Sequence, residues 1–227
     1  MPLIIAGCDL SKNSPGIVKL ILDDKTLDII DVQSLGFTSV KKNEQAGIIF
    51  YKKTEFNFDQ DQFIRIENCI FDFLKDVTHI ALEDYAYGGS GNITDLAEFC
   101  GYIKLKQFLD GKKIRVYDIP SIKIFGTGKG NSDKLSMYQY FVKHQGAKPN
   151  ISTMPHVTKG SGVSPTSDIV DAFWIASFLQ LELKLRRGLV KLMSLDEEKI
   201  KLFNRTTKHQ PQNVLVTDFI EKRWYDY

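Results

Sequence analysis

Four acidic residues stand where a fold could gather them. Asp9 closes the apolar run Ile4-Ile5-Ala6-Gly7-Cys8, and Glu83 closes a second run, Ile80-Ala81-Leu82. Asp168 and Asp171 lie three residues apart at the start of an apolar helical stretch. An apolar run that stops at a carboxylate reads as a buried strand delivering an acid to the end of a sheet. Acids at i and i+3 share one face of a helix. Asp9, Glu83, Asp168 and Asp171 are therefore expected to converge and hold two divalent cations, Mg²⁺ with Mn²⁺ as a substitute. Hard cations of this kind take carboxylate oxygens from rigid elements. Two such ions about 4 Å apart can activate a water and stabilise the leaving oxygen of a phosphodiester. Singly, each acid has a plainer reading, as a turn former, a solvated edge acid or a first-turn acid favoured by the helix dipole. Asp171 resists that reading, because Ile169, Val170, Ala172, Phe173 and Trp174 surround it. A carboxylate in so apolar a helix needs a partner or a cation.

The elements that must position these acids follow from periodicity and turn signals. Residues 2–9 read as a strand buried on both faces at the sheet centre. Gly16 to Leu22 and Leu27 to Phe37 follow as second and third strands, joined through Asp23-Asp24-Lys25, and Ile48 to Tyr51 suits a further short strand. Asp59 can cap a helix to about Val77 with a stripe at Phe63, Ile66, Ile70 and Leu74. A strand from His79 to Tyr85 comes next, then a helix capped by Asn92 that ends near Gly111, then a fifth strand, Ile114 to Ile119. Pro120 to Phe125 reads as a short helix, Gly126 to Asn131 as a flexible loop, and Asp133 to His144 as a helix capped by Ser132. Residues 146–164 read as a mobile loop, and Thr166 or Ser167 as the cap of a long helix ending near Gly188. A short helix from about Leu195 to Phe203 lies beyond it. Three antiparallel strands, two strand–helix alternations and a terminal helix make the ribonuclease-H-like order. The fold class expected is α/β, a five-stranded mixed sheet flanked by helices, with residues 1–187 as one domain and 188–227 as an extension packing on or beside it. In that order the first and fourth strands are neighbours, which sets Asp9 beside Glu83.

Bulk composition agrees with a folded α/β domain. The chain has 227 residues, 43% hydrophobic and 26% charged. Charges interrupt every apolar run before membrane length, and no signal peptide is evident, so a cytoplasmic protein is expected, in host cytoplasm if phage-encoded, with an organellar location as an alternative. Cys8, Cys69 and Cys100 form no CxxC and read as reduced thiols, and no His or Cys pair has zinc spacing. The net charge of +2 hides a split: residues 1–100 carry 9 basic and 16 acidic side chains, residues 101–227 carry 21 and 12. One part is thus suited to cations and another to an anion.

Several stretches together resemble the RuvC-type Holliday-junction resolvases. They are Ile5-Ala6-Gly7-Cys8-Asp9, Ala81-Leu82-Glu83-Asp84, Phe125 to Lys134 and Ser167 to Ala176. The Gly-rich loop followed by the Asp133-Lys134 pair is the more specific part. The resemblance implies a homodimeric Mg²⁺-dependent endonuclease that nicks two strands of a four-way DNA junction symmetrically. It also implies Lys134 beside the scissile phosphate. Among the lysines between Lys123 and Lys159, Lys123, Lys129 and Lys143 would then contact backbone farther away. The family often places Phe three residues after the strand Glu, and here Ala86 stands there between Tyr85 and Tyr87. On a continuing strand these two tyrosines share the Glu83 face, where they could stack on bases or simply pack. Three other readings remain open: a ribonuclease-H-like nuclease on forked or hybrid substrates, an actin- or sugar-kinase-like ATPase, and a silent nucleic-acid-binding module. The ATPase reading needs a Gly-Thr-rich turn after the first Asp, and Leu10-Ser11-Lys12-Asn13 is a poor one.

Overall fold

The structure is a computed structural model that describes residues 1–11, 13–41, 47–51, 59–84, 93–160, 163–207 and 210–222. Its strands are β1 Leu3–Asp9, β2 Gly16–Leu22, β3 Ile29–Thr38, β4 Ile48–Phe50, β5 His79–Glu83 and β6 Lys113–Tyr117. The helices are α1 Asp59–Leu74, α2 Ile93–Leu109, α3 Ile119–Thr127, α4 Lys134–Lys143, α5 Thr166–Arg186 and α6 Glu197–Asn204. The sheet order is β4-β3-β2-β1-β5-β6. β1, β2 and β3 form the expected antiparallel meander, and β5 and β6 add in parallel. Among the described residues the sheet has six strands instead of five, because Ile48–Phe50 pairs in parallel with β3 at Gly36–Thr38. β3 begins two residues later than its hydrophobic run. Asp23 Oδ1 accepts from the backbone of Lys25 and Thr26, and Leu27 takes φ 56° to complete the turn.

Alternation along the strands divides the core in two. Ala6, Cys8, Ile80 and Leu82 pack with Phe63, Ile66, Ile70, Phe99 and Ile103 of α1 and α2. Ile5, Val18, Leu20, Ala81 and Tyr117 pack with α5, which lies on the opposite face with α3, α4 and α6. Helix α5 is buried nearly all round, as a central helix should be. It approaches β1 and β2 so closely that only glycine fits beneath it. A Cβ on Gly7 would stand 2.3 Å from the backbone of Ala172 and Ala176, and one on Gly16 would stand 2.3 Å from the carbonyl of Asp168.

The helix starts differ from expectation in instructive ways. Asp118 caps α3, with Pro120 inside its first turn, and Asp133 caps α4 by accepting from Ser136 N. Ser132 is drawn instead into the Gly-rich segment: its hydroxyl donates to Lys129 O and lies 2.6 Å from Thr127 Oγ1. That segment is therefore hydrogen-bonded internally, with Gly128 at φ 78° closing α3. Thr166 lies in the first turn of α5 and donates to Pro155 O, and no side chain caps that helix. Within the expected loop, residues 146–160 are anchored by buried Met154 and Val157, and Lys148 donates to three carbonyls at the end of α4. Asn92 falls outside the described residues.

Residues beyond α5 pack on the same core. Leu202, Phe203 and Val214 are buried, and Ile220 bridges to Ile114. Glu182 of α5, fully buried, accepts from Arg115 at 2.7 Å, Tyr117 at 2.6 Å and Arg186 at 2.8 Å. The two guanidiniums donate onward to Thr217 O, which ties the C-terminal stretch to β6 and α5. Among the described residues no helix is long and apolar enough to cross a membrane.

If the seating of α5 rests on bare backbone, Gly7→Ala and Gly16→Ala should each destabilise by at least about 1–3 kcal/mol. A thermal melt should then fall by several degrees, and an unchanged melting temperature in either variant would contradict the contact.

Candidate active site

The period of two along a strand places Ile5, Gly7 and Asp9 on the α5 face of β1. On β5 the same rule places Ala81 and Glu83 there. The parallel register pairs Gly7 with Ala81 and Cys8 with Leu82, so Asp9 and Glu83 are the next neighbours at the strand ends. Helix α5 crosses this edge with its first turns, and Asp168 and Asp171 are each only 7% exposed. Helix α4 adds Lys134 as its first residue. A cation there opposes the helix dipole, and the compensation lies next to it. The Lys134 ammonium forms a short ion pair with Asp171 Oδ2, and stands 3.8 Å from Asp9 Oδ2 and 3.9 Å from Asp168 Oδ1. Three carboxylates from β1 and α5 thus converge on one cationic centre.

The electrostatics follow from burial and crowding. Desolvation pushes the Asp9 carboxyl well up, Lys134 pulls it down, and the other three acids push it up further. Glu83 is raised from 4.5 to about 7 by burial and then by Asp171. Burial likewise raises Asp171 against the pull of Lys134. Burial alone would lower Lys134, but Asp9, Asp171 and Asp168 outweigh it and hold the ammonium charged. The neighbouring thiols are inert by the same cause: burial pushes Cys100 to about 12 and Cys8 higher still.

A cleft of about 220 Å³ opens on this cluster, lined by Glu83, Asp171, Lys134, Lys123, Ile119, Ile122 and Met137. All four acids and Lys134 are therefore brought together, with Lys123 on the cleft wall. Lys129 is exposed on the α3–α4 connection. Lys143 sits at the far end of α4, about 14 Å along the helix from Lys134 at 1.5 Å per residue. Tyr85 and Tyr87 lie outside the described residues. Ser14, which the motifs did not single out, donates to Asp168 Oδ2 at 3.0 Å from the β1–β2 turn. The signal available for it was only its place five residues after Asp9.

These residues suit divalent cations by chemistry. The donors are hard carboxylate oxygens carried on two strand ends and one helix, and four acids face the Lys134 ammonium with Lys123 as the further cation on the cleft wall. Among the described residues no three acids are arranged as a ready-made ligand set; their oxygens point at Lys134.

No family model matches the sequence, and no curated protein matches it. Among solved structures, Thermus thermophilus RuvC aligns with a TM-score of 0.51 at 17% identity, over 82% of this chain and 98% of that one. The chain has the ribonuclease-H-like fold of RuvC. T. thermophilus RuvC in complex with Holliday junction substrate aligns at 0.49 and 15% identity, over 82% of this chain and 97% of that one. A Fowlpox virus resolvase with substrate Holliday junction DNA aligns at 0.46 and 13%, over 80% of this chain and 99% of that one. The RuvC fold agrees with the fold that the sequence motifs imply.

With EDTA present, Lys134→Met should lower the melting temperature at pH 8, because the aspartates lose their shared counter-ion. Glu83 works in the opposite sense. Its folded value near 7 exceeds the ordinary 4.5, so its contribution to stability is whole below about pH 4.5 and is lost as pH rises through 7. Glu83→Gln should therefore melt above the wild type at pH 8 and converge with it below about pH 4.5. A difference independent of pH would contradict this.

Proposed function

We propose that this protein is a divalent-metal-dependent endonuclease that hydrolyses DNA phosphodiesters and resolves four-way junctions by paired symmetric nicks. The observation that carries the reading is the convergence of Asp9, Asp168 and Asp171 on one cationic centre beside Glu83. Asp9, Glu83, Asp168 and Asp171 would hold two Mg²⁺ ions, with Mn²⁺ able to substitute. Bound there, the ions would supply Lewis-acid activation of water and neutralise charge on the departing oxygen. Lys134, released from Asp171, donates to a non-bridging oxygen of the scissile phosphate. Lys123, on the cleft wall, holds an adjacent phosphate, and Lys129 and Lys143 extend the basic track. Residues 1–187 make up the nuclease domain, with 188–227 as its extension. Two copies, each nicking one strand, form the working unit, and Tyr85 and Tyr87 stack on bases near the branch. The choice of a four-way junction among branched DNAs is supported by the RuvC motifs in the sequence and by the RuvC fold.

The test is cleavage with Mg²⁺ of a synthetic four-way junction beside fork, flap, duplex and RNA–DNA hybrid substrates. The expected result is paired symmetric nicks in the junction alone. Preferential cutting of forks or hybrids would overturn the substrate, and ATP hydrolysis without nicking would overturn the chemistry. Asp9→Asn and Asp171→Asn should each lose cleavage by at least about 100-fold while retaining junction binding. Lys123→Ala should weaken binding on every sequence and reduce the slope of log K against log salt by about 1. A slope unchanged in that variant would remove Lys123 from the phosphate contacts.

A further inference from the structure

We infer that Ser14 is a positioning residue for Asp168: its hydroxyl holds one carboxylate oxygen so that the other is turned toward the acid cluster. This rests on the metal-dependent reading above. Ser14 lies in the turn between β1 and β2, 154 residues from Asp168 in the chain. Its Oγ donates to Asp168 Oδ2 at 3.0 Å, while Asp168 Oδ1 stands 3.9 Å from the Lys134 ammonium. The two oxygens of one carboxylate thus face different partners.

The hydroxyl is itself held in place. Its one proton has two acceptors in reach, Asp168 Oδ2 at 3.0 Å and Ser164 Oγ at 2.9 Å, and the charged carboxylate is the stronger of the two; Ser11 Oγ lies 3.3 Å away on the side of the lone pairs. The backbone N–H of Ser14 donates to Ser11 Oγ at 3.0 Å, fixing the turn. Two residues on, Gly16 is the point at which β2 meets the Asp168 carbonyl. Asp168 is therefore met twice from this side, at its carbonyl by the bare backbone of Gly16 at the start of β2 and at its side chain by the Ser14 hydroxyl. The same turn follows directly from Asp9, so it couples the strand acid to the helix acid. Partners that orient a ligating carboxylate typically change metal affinity by about 10- to 100-fold when removed.

The experiment is calorimetric titration of Mn²⁺ into the full-length chain, with folding of each variant checked by circular dichroism. Ser14→Ala should weaken Mn²⁺ binding by about 10- to 100-fold, and Ser14→Thr, which keeps the hydroxyl, should restore it. Asp168→Asn serves as the control that removes the carboxylate itself. Wild-type affinity in Ser14→Ala alongside a loss in Asp168→Asn would overturn the role of Ser14 while leaving the metal reading intact. Equal weakening in Ser14→Ala and Ser14→Thr would also overturn it, because the hydroxyl would then not be the active feature. A wild-type chain that binds no Mn²⁺ would overturn the metal reading itself, and this inference with it.

Discussion

The bare-backbone contact between α5 and the strands beneath it governs the rest of the structure. Helices ordinarily stand off their neighbours by a layer of side chains, with axes 8–10 Å apart. Here Gly7 and Gly16 remove that layer on the strand side, and Ala172 and Ala176 keep it thin on the helix side. The consequence is local to the sheet edge. The first turns of α5 come down onto the tips of β1 and β5, and Asp168 and Asp171 enter a space already shared by Asp9 and Glu83. A Cβ at either glycine would lift the helix and open the cluster.

Bringing four acids into a desolvated edge is unfavourable, and the molecule carries the cost in visible ways. Glu83 is held near neutrality, Asp9 and Asp171 are pushed toward their protonated forms, and a lysine is spent at a helix start where its charge opposes the dipole. Local rules broken together in one place mark a site kept for function. The carboxylate terms all have one sign: each is relieved by added positive charge between the strand tips and α5. That is the property a phosphodiester-cleaving centre needs, since cations placed there lie beside a cleft whose wall already carries Lys123.

Much of this was legible in the chain itself. The strand-end acids and the i, i+3 pair on an apolar helix could be read because period 2 and period 3.6 fix which side chains face together. Lys134 followed from the motif resemblance, and the structure supplies a physical reason for it in the three carboxylates it faces. What was not legible depended on contacts far apart in sequence. Ser132 and Asp133 are both good cap residues, and only the pull of Thr127 and Lys129 on Ser132 hands the cap to Asp133. The pairing of Ile48–Phe50 needs β3 as a template, which so short a run does not announce. Ser14 acquires its meaning from a residue 154 positions away. Gly7 and Gly16 read as ordinary strand residues until the helix above them is in view.

Cations received at this edge in place of the ammonium would complete the site proposed above. Anomalous diffraction from crystals soaked in Mn²⁺ tests it most directly. Manganese peaks are expected, bounded by carboxylate oxygens of Asp9, Glu83, Asp168 and Asp171, with the Lys134 side chain displaced from Asp171. Manganese bound only elsewhere, with Lys134 still paired to Asp171, would contradict it.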